Sequence, residues 1–571
     1  MIDKLYIFII SILIIILSGT SNIYPIYLQH LVDKFNFSVN IINLYGSFVT
    51  MGGYMGFPIG LITDKFGPKV ATFLGTLILS IGYYFLSLIL SSNHIENINI
   101  VLLLILGFML GQGNYLLYTS AVGTSLKNFN FKGNVIVLGI LLSNTAASPS
   151  LFSTCRDTLG NINDSSFYHY LSIFIFSCGM LAVFALNKNP ITYSVESAER
   201  KFEKYKERKM ILFMILYNSF IIVIFIIGIL VNYFTTKYSF PLIIIFPILF
   251  ILNFIFIILE TLDVFEYLYL NEFNSRFDSH LKKQEMELSE IMKSNDFLPS
   301  ELQQNDEIDK NQRISNVQKA MNKNISKKLS SFLESSKEDD VINLKKIVFQ
   351  KDFIILFIII LFGLGICITN MSNLNFILKS ISYKIHYSGI DKGVISIYKS
   401  KEVYFYVILY FIFNSLIRIV SAFYLTNLIK KRQIQPYLII FSCIGLCSQI
   451  LGYFMEKEYL YVSISLAGAV HGGYVIFIPA FIQMKYGLKK IATLFGIVLT
   501  AGGIGSFLIS ETAFSFPYSY YSKEENNYKC IGKECFSYSY LSTSILFGVN
   551  IILSFIINFE VQEKTKINKD K

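Results

Sequence analysis

The chain has 571 residues, of which 53% are hydrophobic and only 15% charged, whereas a soluble domain carries about 25% charge. Many of its apolar runs reach the ~20 residues that a bilayer crossing requires, so the sequence reads as an all-α, polytopic membrane protein. Its formal charge of +10 comes from lysines in the loops between those runs; this suits cytoplasmic loops facing anionic lipid and leaves no sign of a nucleic-acid partner.

In chain order, apolar spans are expected near 5–31, 43–63, 70–91, 100–121, 133–155 and 166–187. A further pair lies near 210–234 and 239–262. After a polar stretch come 352–378, 403–429, 436–455, 459–482, 490–513 and 539–559. The grouping is six, two and six, about 12–14 crossings in all. The first span starts like a signal peptide, but Tyr24-Pro25-Ile26-Tyr27-Leu28 carries it past an ordinary apolar core, and a retained span is expected. The implied division is an N-terminal six-helix bundle (1–187), a basic cytoplasmic loop (188–209) and an additional helix pair (210–262). A polar linker (263–350), a C-terminal six-helix bundle (351–560) and a cytoplasmic tail (561–571) complete it. The linker is rich in Glu, Lys, Asn, Ser and Gln. It cannot bury enough apolar surface to offset ordering entropy, so it is expected to be disordered or transiently helical.

Counting crossings from a cytoplasmic start puts most lysine-bearing loops inside, including Lys65/Lys69, Lys127/Lys132, Lys430/Lys431 and Lys485/Lys489/Lys490. Segment 379–402 is the exception, with lysines on the expected outer side. Six-plus-six grouping suggests two repeated bundles around a central cavity.

The second loop holds Gly56-Phe57-Pro58-Ile59-Gly60-Leu61-Ile62-Thr63-Asp64-Lys65-Phe66-Gly67-Pro68-Lys69. Gly52, Gly56 and Gly60, four apart, are expected on one helix face that a neighbour approaches closely. Asp64 can pair with Lys65 or Lys69, or cap a helix N-terminus. The pattern Gly60-x-x-x-Asp64-Lys65-x-Gly67-x-Lys69 resembles the loop signature between the second and third helices of the major facilitator superfamily. Four stretches further resemble the nodulin-like group, which is related to monocarboxylate-porter-type members. They run from Asn43 to Tyr83, from Asn114 through Lys127-Asn128-Phe129 to Leu141, from Pro479 to Gly496, and from Cys530 to Phe536. The resemblance implies alternating access without catalytic chemistry, with the Asp64 loop helping to lock the inner gate. It implies no substrate. Thr426 and Met484 stand where acidic residues would be expected, so gating in the second half is expected to differ.

Arg418 is the foremost candidate for solute contact. It lies twelve residues, about 18 Å along a helix, from Lys430, too far to snorkel. At mid-span an arginine costs ~2.5–3.5 kcal/mol on insertion scales. A wet cavity or a partner is therefore required. Asn414 shares its face and can bind a ligand or orient the guanidinium. In related monocarboxylate porters an arginine on the corresponding helix meets substrate carboxylate, and a guanidinium fork suits that role. The alternative is a structural arginine on carbonyls or a buried acid. His471 is either a neutral ring satisfied by neighbouring helices or a proton relay. Glu511 is either a solvated helix end or a proton-coupling group. Asn370, Asn373 and Asn375, with Gln112 and Asn114, could line the cavity or hold helices together. Tyr24 and Tyr27 are weaker candidates.

Cys178, Cys367, Cys443 and Cys447 fall inside apolar spans, as packing residues. Cys530 and Cys535 share a polar loop and can form a disulfide if it faces an oxidising compartment. No metal-ligand spacing occurs, and neither metal nor cofactor is expected. His386 and Asp391 have the His-x4-Asp spacing of some acyltransferases but no supporting motif, and there is no phosphate-binding loop. An enzyme is not expected.

The reading is therefore a secondary transporter or facilitator of a small organic solute, with a monocarboxylate or other organic anion foremost. It would act as a monomer in a plasma or organellar membrane, with protons as a candidate coupling ion. A carrier of neutral or cationic solutes, or a receptor or scaffold signalling through 263–350, is the alternative.

Overall fold

Apolar runs punctuated by Gly, Pro and polar clusters become helices throughout the computed structural model. It describes residues 2–35, 39–91, 100–128, 131–158, 163–186, 344–386, 392–431, 434–487, 490–521, 530 and 532–557. Helix α1 (Ile2–Ser18) passes through a 3-10 turn (Gly19–Ile23) into α2 (Tyr24–Phe35). There follow α3 (Val39–Tyr54), α4 (Phe57–Phe66), α5 (Pro68–Ser91), α6 (Ile100–Asn128), α7 (Phe131–Thr158) and α8 (Asp164–Ala185). The later part holds α9 (Lys351–Ser372), α10 (Leu374–His386), α11 (Lys392–Lys431), α12 (Gln435–Tyr453) and α13 (Lys457–Tyr486). Then come α14 (Ile491–Ile509), a π-helical segment (Ser510–Ser515), α15 (Phe516–Tyr521) and α16 (Glu534–Ile556).

Among the described residues, ten helical stretches are long and apolar enough to cross a membrane. Their outward faces carry exposed large apolar side chains such as Phe85, Leu102, Phe184, Val420 and Ile545. Such stripes are stable only against lipid. The chain divides into two compact units, and all that follows concerns the one formed by Met1–Ile257 and Ile354–Lys571. In the other, Ile258–Phe353, the described residues include a short helix at Leu344–Val348. The segments 188–209, 210–262 and 561–571, most of 263–350, and Asp391 lie outside the described residues.

In the first half α5 packs on α6 and α8, α3 on α6, and α1 on α6 and α7; in the second α13 packs on α11 and α12, and α12 on α16. Two seams join the halves, α7 against α11, and α3 with α4 against α14. Helix α13 is buried along most of its length, making it the core helix of its half.

The structure corrects the sequence reading in several places. The expected span 43–63 is two helices, broken at Met55–Gly56. Pro58 causes the break, since its ring removes one amide donor and would meet the Tyr54 carbonyl one turn back. The break divides the glycine row. A Cβ at Gly52 would meet the Phe108 carbonyl of α6 at 2.3 Å, whereas one at Gly60 would meet the Ala492 carbonyl of α14 at 2.4 Å. The span expected from 403 belongs to a helix that begins at Lys392, and the span 490–513 continues to Tyr521. Cys443 and Cys447 are exposed rather than packed, while Cys178 and Cys367 are buried. Cys530 and Cys535 are joined in a disulfide.

Helices α4 and α13 end alike, on Gly67 (φ 86°) and Gly487 (φ 81°), a backbone region that favours glycine. The matching positions before the two glycines are Asp64 and Met484, so only the first turn offers a carboxylate.

Candidate functional site

Arg418 on α11 is 4% exposed and lines a cavity between the two halves. Its Nε donates to Asn414 Oδ1 at 2.8 Å, one turn earlier, and its Nη1 donates across the seam to the Leu142 carbonyl of α7 at 2.7 Å. No carboxylate pairs with it among the described residues, and Nη2 keeps its donors. Asn414 thus orients the guanidinium rather than standing apart from it. The open space swept by the centre of a water-sized sphere is about 60 Å³. That holds a few waters or a solute of similar size.

His471 on α13 lines the same cavity through a chain of three bonds. The Tyr410 hydroxyl donates to the Cys367 carbonyl at 3.1 Å, so its oxygen accepts from His471 Nδ1–H at 2.6 Å. Nε2 is then a bare acceptor and takes the Tyr54 hydroxyl proton at 3.0 Å. For a neutral ring the network therefore places the proton on Nδ1. Because Tyr54 belongs to α3, this bond also ties the two halves together.

Each end of the cavity has its own tie. Asp64 Oδ2 accepts from the backbone N–H of Thr493 at 2.9 Å and from its hydroxyl at 2.6 Å. Thr493 sits in the first turn of α14, where backbone donors lack helical partners and the helix dipole favours an anion. Asp64 thus caps a helix rather than pairing with Lys65, which is exposed over the Phe66 ring. Here α4 and α14 nearly touch, since a Cβ on Gly496 would lie 2.3 Å from the Gly56 carbonyl. At the other end Tyr24 bonds Ser372 Oγ at 2.5 Å, tying α2 to α9. Tyr24 packs beside Gly46 of α3, eighteen residues and a helix break before Asp64 of α4.

Asn114 also lines the cavity, its amide donating to Ser21 Oγ at 2.6 Å. Several expected site residues are elsewhere. Gln112 donates to the carbonyls of Gly52 (2.6 Å) and Met55 (3.2 Å), groups freed by the α3–α4 break. Asn373 bonds the Thr369 carbonyl and Ser510 Oγ, and Asn370 bonds Gln449 on α12. Neither asparagine lines the cavity, and both hold helices together. Glu511 is half-buried in the π-helical segment, away from the cavity lining. Tyr27 lies within the first half, against Tyr45. Lys69 is half-buried near the turn it was expected to serve. Sequence reasoning missed Tyr54, Tyr118, Thr145 and Thr493. With 37 tyrosines in the chain, nothing local marks the few that face the cavity.

The solved structure of the proton:xylose symporter XylE, a major facilitator superfamily protein bound to 6-bromo-6-deoxy-D-glucose, is similar over 97% of this chain and 95% of its own. The TM-score is 0.50 and the identity 11%. The chain has the major facilitator fold. The transporter FucP, solved in the outward conformation, covers 96% of this chain and 98% of its own at 12% identity and a TM-score of 0.44. The Nodulin-like family profile matches residues 4–258. No curated protein matches the sequence. Among the described residues no three His, Cys, Asp or Glu side chains assemble as a metal site. The chain is a multi-pass membrane protein.

Proposed function

We propose that the chain carries a small organic anion, a monocarboxylate being the first candidate, across its membrane by alternating access. In this reading two six-helix bundles rock about the cavity, and the Asp64–Thr493 and Tyr24–Ser372 ties open in turn. The observation that carries it is Arg418, a guanidinium buried at mid-span, unpaired with any carboxylate among the described residues, at a cavity wall. Insertion of such a charge costs ~2.5–3.5 kcal/mol, and a carboxylate accepting from its free N–H groups would offset that cost. Asn414 holds the fork in place, and His471 is the candidate proton carrier if flux is coupled to a pH gradient.

The second reading has its own support. Two of the three guanidinium nitrogens already donate to protein acceptors, as they would in a carrier of neutral or cationic solutes where Arg418 is structural. Uptake of small monocarboxylates into proteoliposomes, with and without a pH gradient, separates the two. Arg418→Ala and Arg418→Lys should each lower anion uptake at least tenfold at unchanged protein amount. Normal uptake by both variants would remove Arg418 from the site.

A further inference from the structure

We propose that the hydroxyls of Tyr118 and Thr145 are ligand-binding donors that complete the Arg418 site, and that this site takes an oxyanion of single charge. The proposal rests on the anion reading of Arg418. Buried hydroxyls are normally partnered, because leaving one unmade costs about 1–3 kcal/mol. Tyr118 and Thr145, each 7% exposed, line the cavity, and neither side-chain oxygen has a partner among the described residues.

Thr145 departs from the common pattern of helical threonines. Helical threonines commonly donate to a carbonyl one turn back, as Thr50, Thr369, Thr426 and Thr500 do here. Thr145 makes no such bond to the Leu141 carbonyl four residues back, and the Leu142 carbonyl, three residues back, receives Arg418 Nη1 at 2.7 Å. The same bond brings the guanidinium to the turn of α7 that carries Thr145. Tyr118, on α6, stacks on Phe495 with ring centroids 5.8 Å apart and planes 18° apart. Its hydroxyl is therefore fixed in the cavity and cannot turn to a new partner without losing that contact. Tyr115 also lines the cavity and is unpartnered, and its hydroxyl lies against Gly56 at the helix break.

Two neutral hydroxyls and one guanidinium form a three-sided set of donors. Arg418 is the sole charged residue among those lining the cavity. One negative charge on the ligand is thereby balanced, while a second would be buried without a partner. The small open volume adds a size limit.

The test uses the purified full chain in proteoliposomes, with initial uptake of radiolabelled formate, acetate and pyruvate measured at limiting concentration. Tyr118→Phe and Thr145→Val should each cut uptake of the transported anion about tenfold, while Thr145→Ser, which keeps the hydroxyl, should retain it. Thr76→Val and Tyr540→Phe remove hydroxyls that are equally unpartnered but outside the cavity, and should leave uptake unchanged. Succinate should compete at least tenfold more weakly than the transported monoanion. Rates are taken per monodisperse protein, and recovery by Thr145→Ser separates the lost hydroxyl from a lost fold. Uptake within twofold of wild type in both Tyr118→Phe and Thr145→Val would overturn this proposal. If Arg418→Ala still abolished uptake in that case, the anion reading would stand. Equal competition by succinate would overturn the charge limit. A wild-type protein that takes up none of the three anions would overturn both readings.

Discussion

Asp64 works at a distance that its own loop does not reveal. Its carboxylate supplies the acceptor that the first turn of α14 lacks, and it receives two bonds from one residue, Thr493. Losing such a cap costs about 0.5–2 kcal/mol, which would shift a closed–open equilibrium roughly 2–30-fold. With the free cysteines replaced and a single thiol at Leu499, which lines the cavity, Asp64→Ala should speed labelling by a hydrophilic maleimide by that factor. Thr493→Val, which keeps the backbone donor, should have a smaller effect, and unchanged rates in both would show that the cap does not hold this end. His471 offers a second test at this scale. Its Nε2 accepts from Tyr54 while the ring is neutral, and a proton taken there reverses that bond, with Nε2–H donating to the Tyr54 oxygen. His471→Gln should therefore keep anion exchange across the membrane while losing accumulation driven by a pH gradient; retained accumulation would exclude His471 as the proton carrier. The sequence offered Asp64 three partners and could not choose among them, because Thr493 is 429 residues away. It located Arg418 and Asn414 because a mid-span charge is costly wherever it lies. It could not locate Tyr118 or Thr145, whose significance lies in bonds they do not make.

At the scale of elements, the break between α3 and α4 explains a residue that looked like part of the site. Gly52 and Met55 lose helical partners for their carbonyls there, and Gln112 supplies the missing donors from α6. Gln112→Leu should lower stability by about 1–3 kcal/mol, the penalty of unpaired buried acceptors, seen as a fall in Tm with KM for uptake unchanged. A changed KM at normal Tm would return Gln112 to the site. The break also lets α4 and α14 meet at Gly56, Gly60 and Gly496. Gly496→Leu would place a side chain where the Gly56 carbonyl lies 2.3 Å from a Cβ position. It should hold this end open and stop turnover while the protein still folds. Apolar continuity from 43 to 63 hid the break in the sequence, although Gly56 and Pro58 carry its chemical cause. Ten of the described stretches are long enough to cross a membrane, against fourteen expected spans. That most of the described chain forms apolar helices was legible because lipid demands them. Which helices meet at the seams was not, since residues far apart in sequence make those contacts.

Across the whole molecule, the cavity is tied at three levels by bonds between the first and second halves: Tyr24 to Ser372, Tyr54 to His471, and Asp64 to Thr493. All three cannot persist through a transport cycle. Deleting 263–340 should leave uptake near the wild-type rate if the chain is a carrier, whereas a scaffold that signals through this segment would lose its output. In the proposed cycle the two end ties open in turn around Arg418. Paired spin labels across α4 and α14 near Asp64, and across α2 and α9 near Tyr24, test it most directly. With a transported monocarboxylate added, one distance should lengthen as the other shortens, and Arg418→Ala should abolish the response. Distances that ignore the anion, or that widen together, would contradict the account.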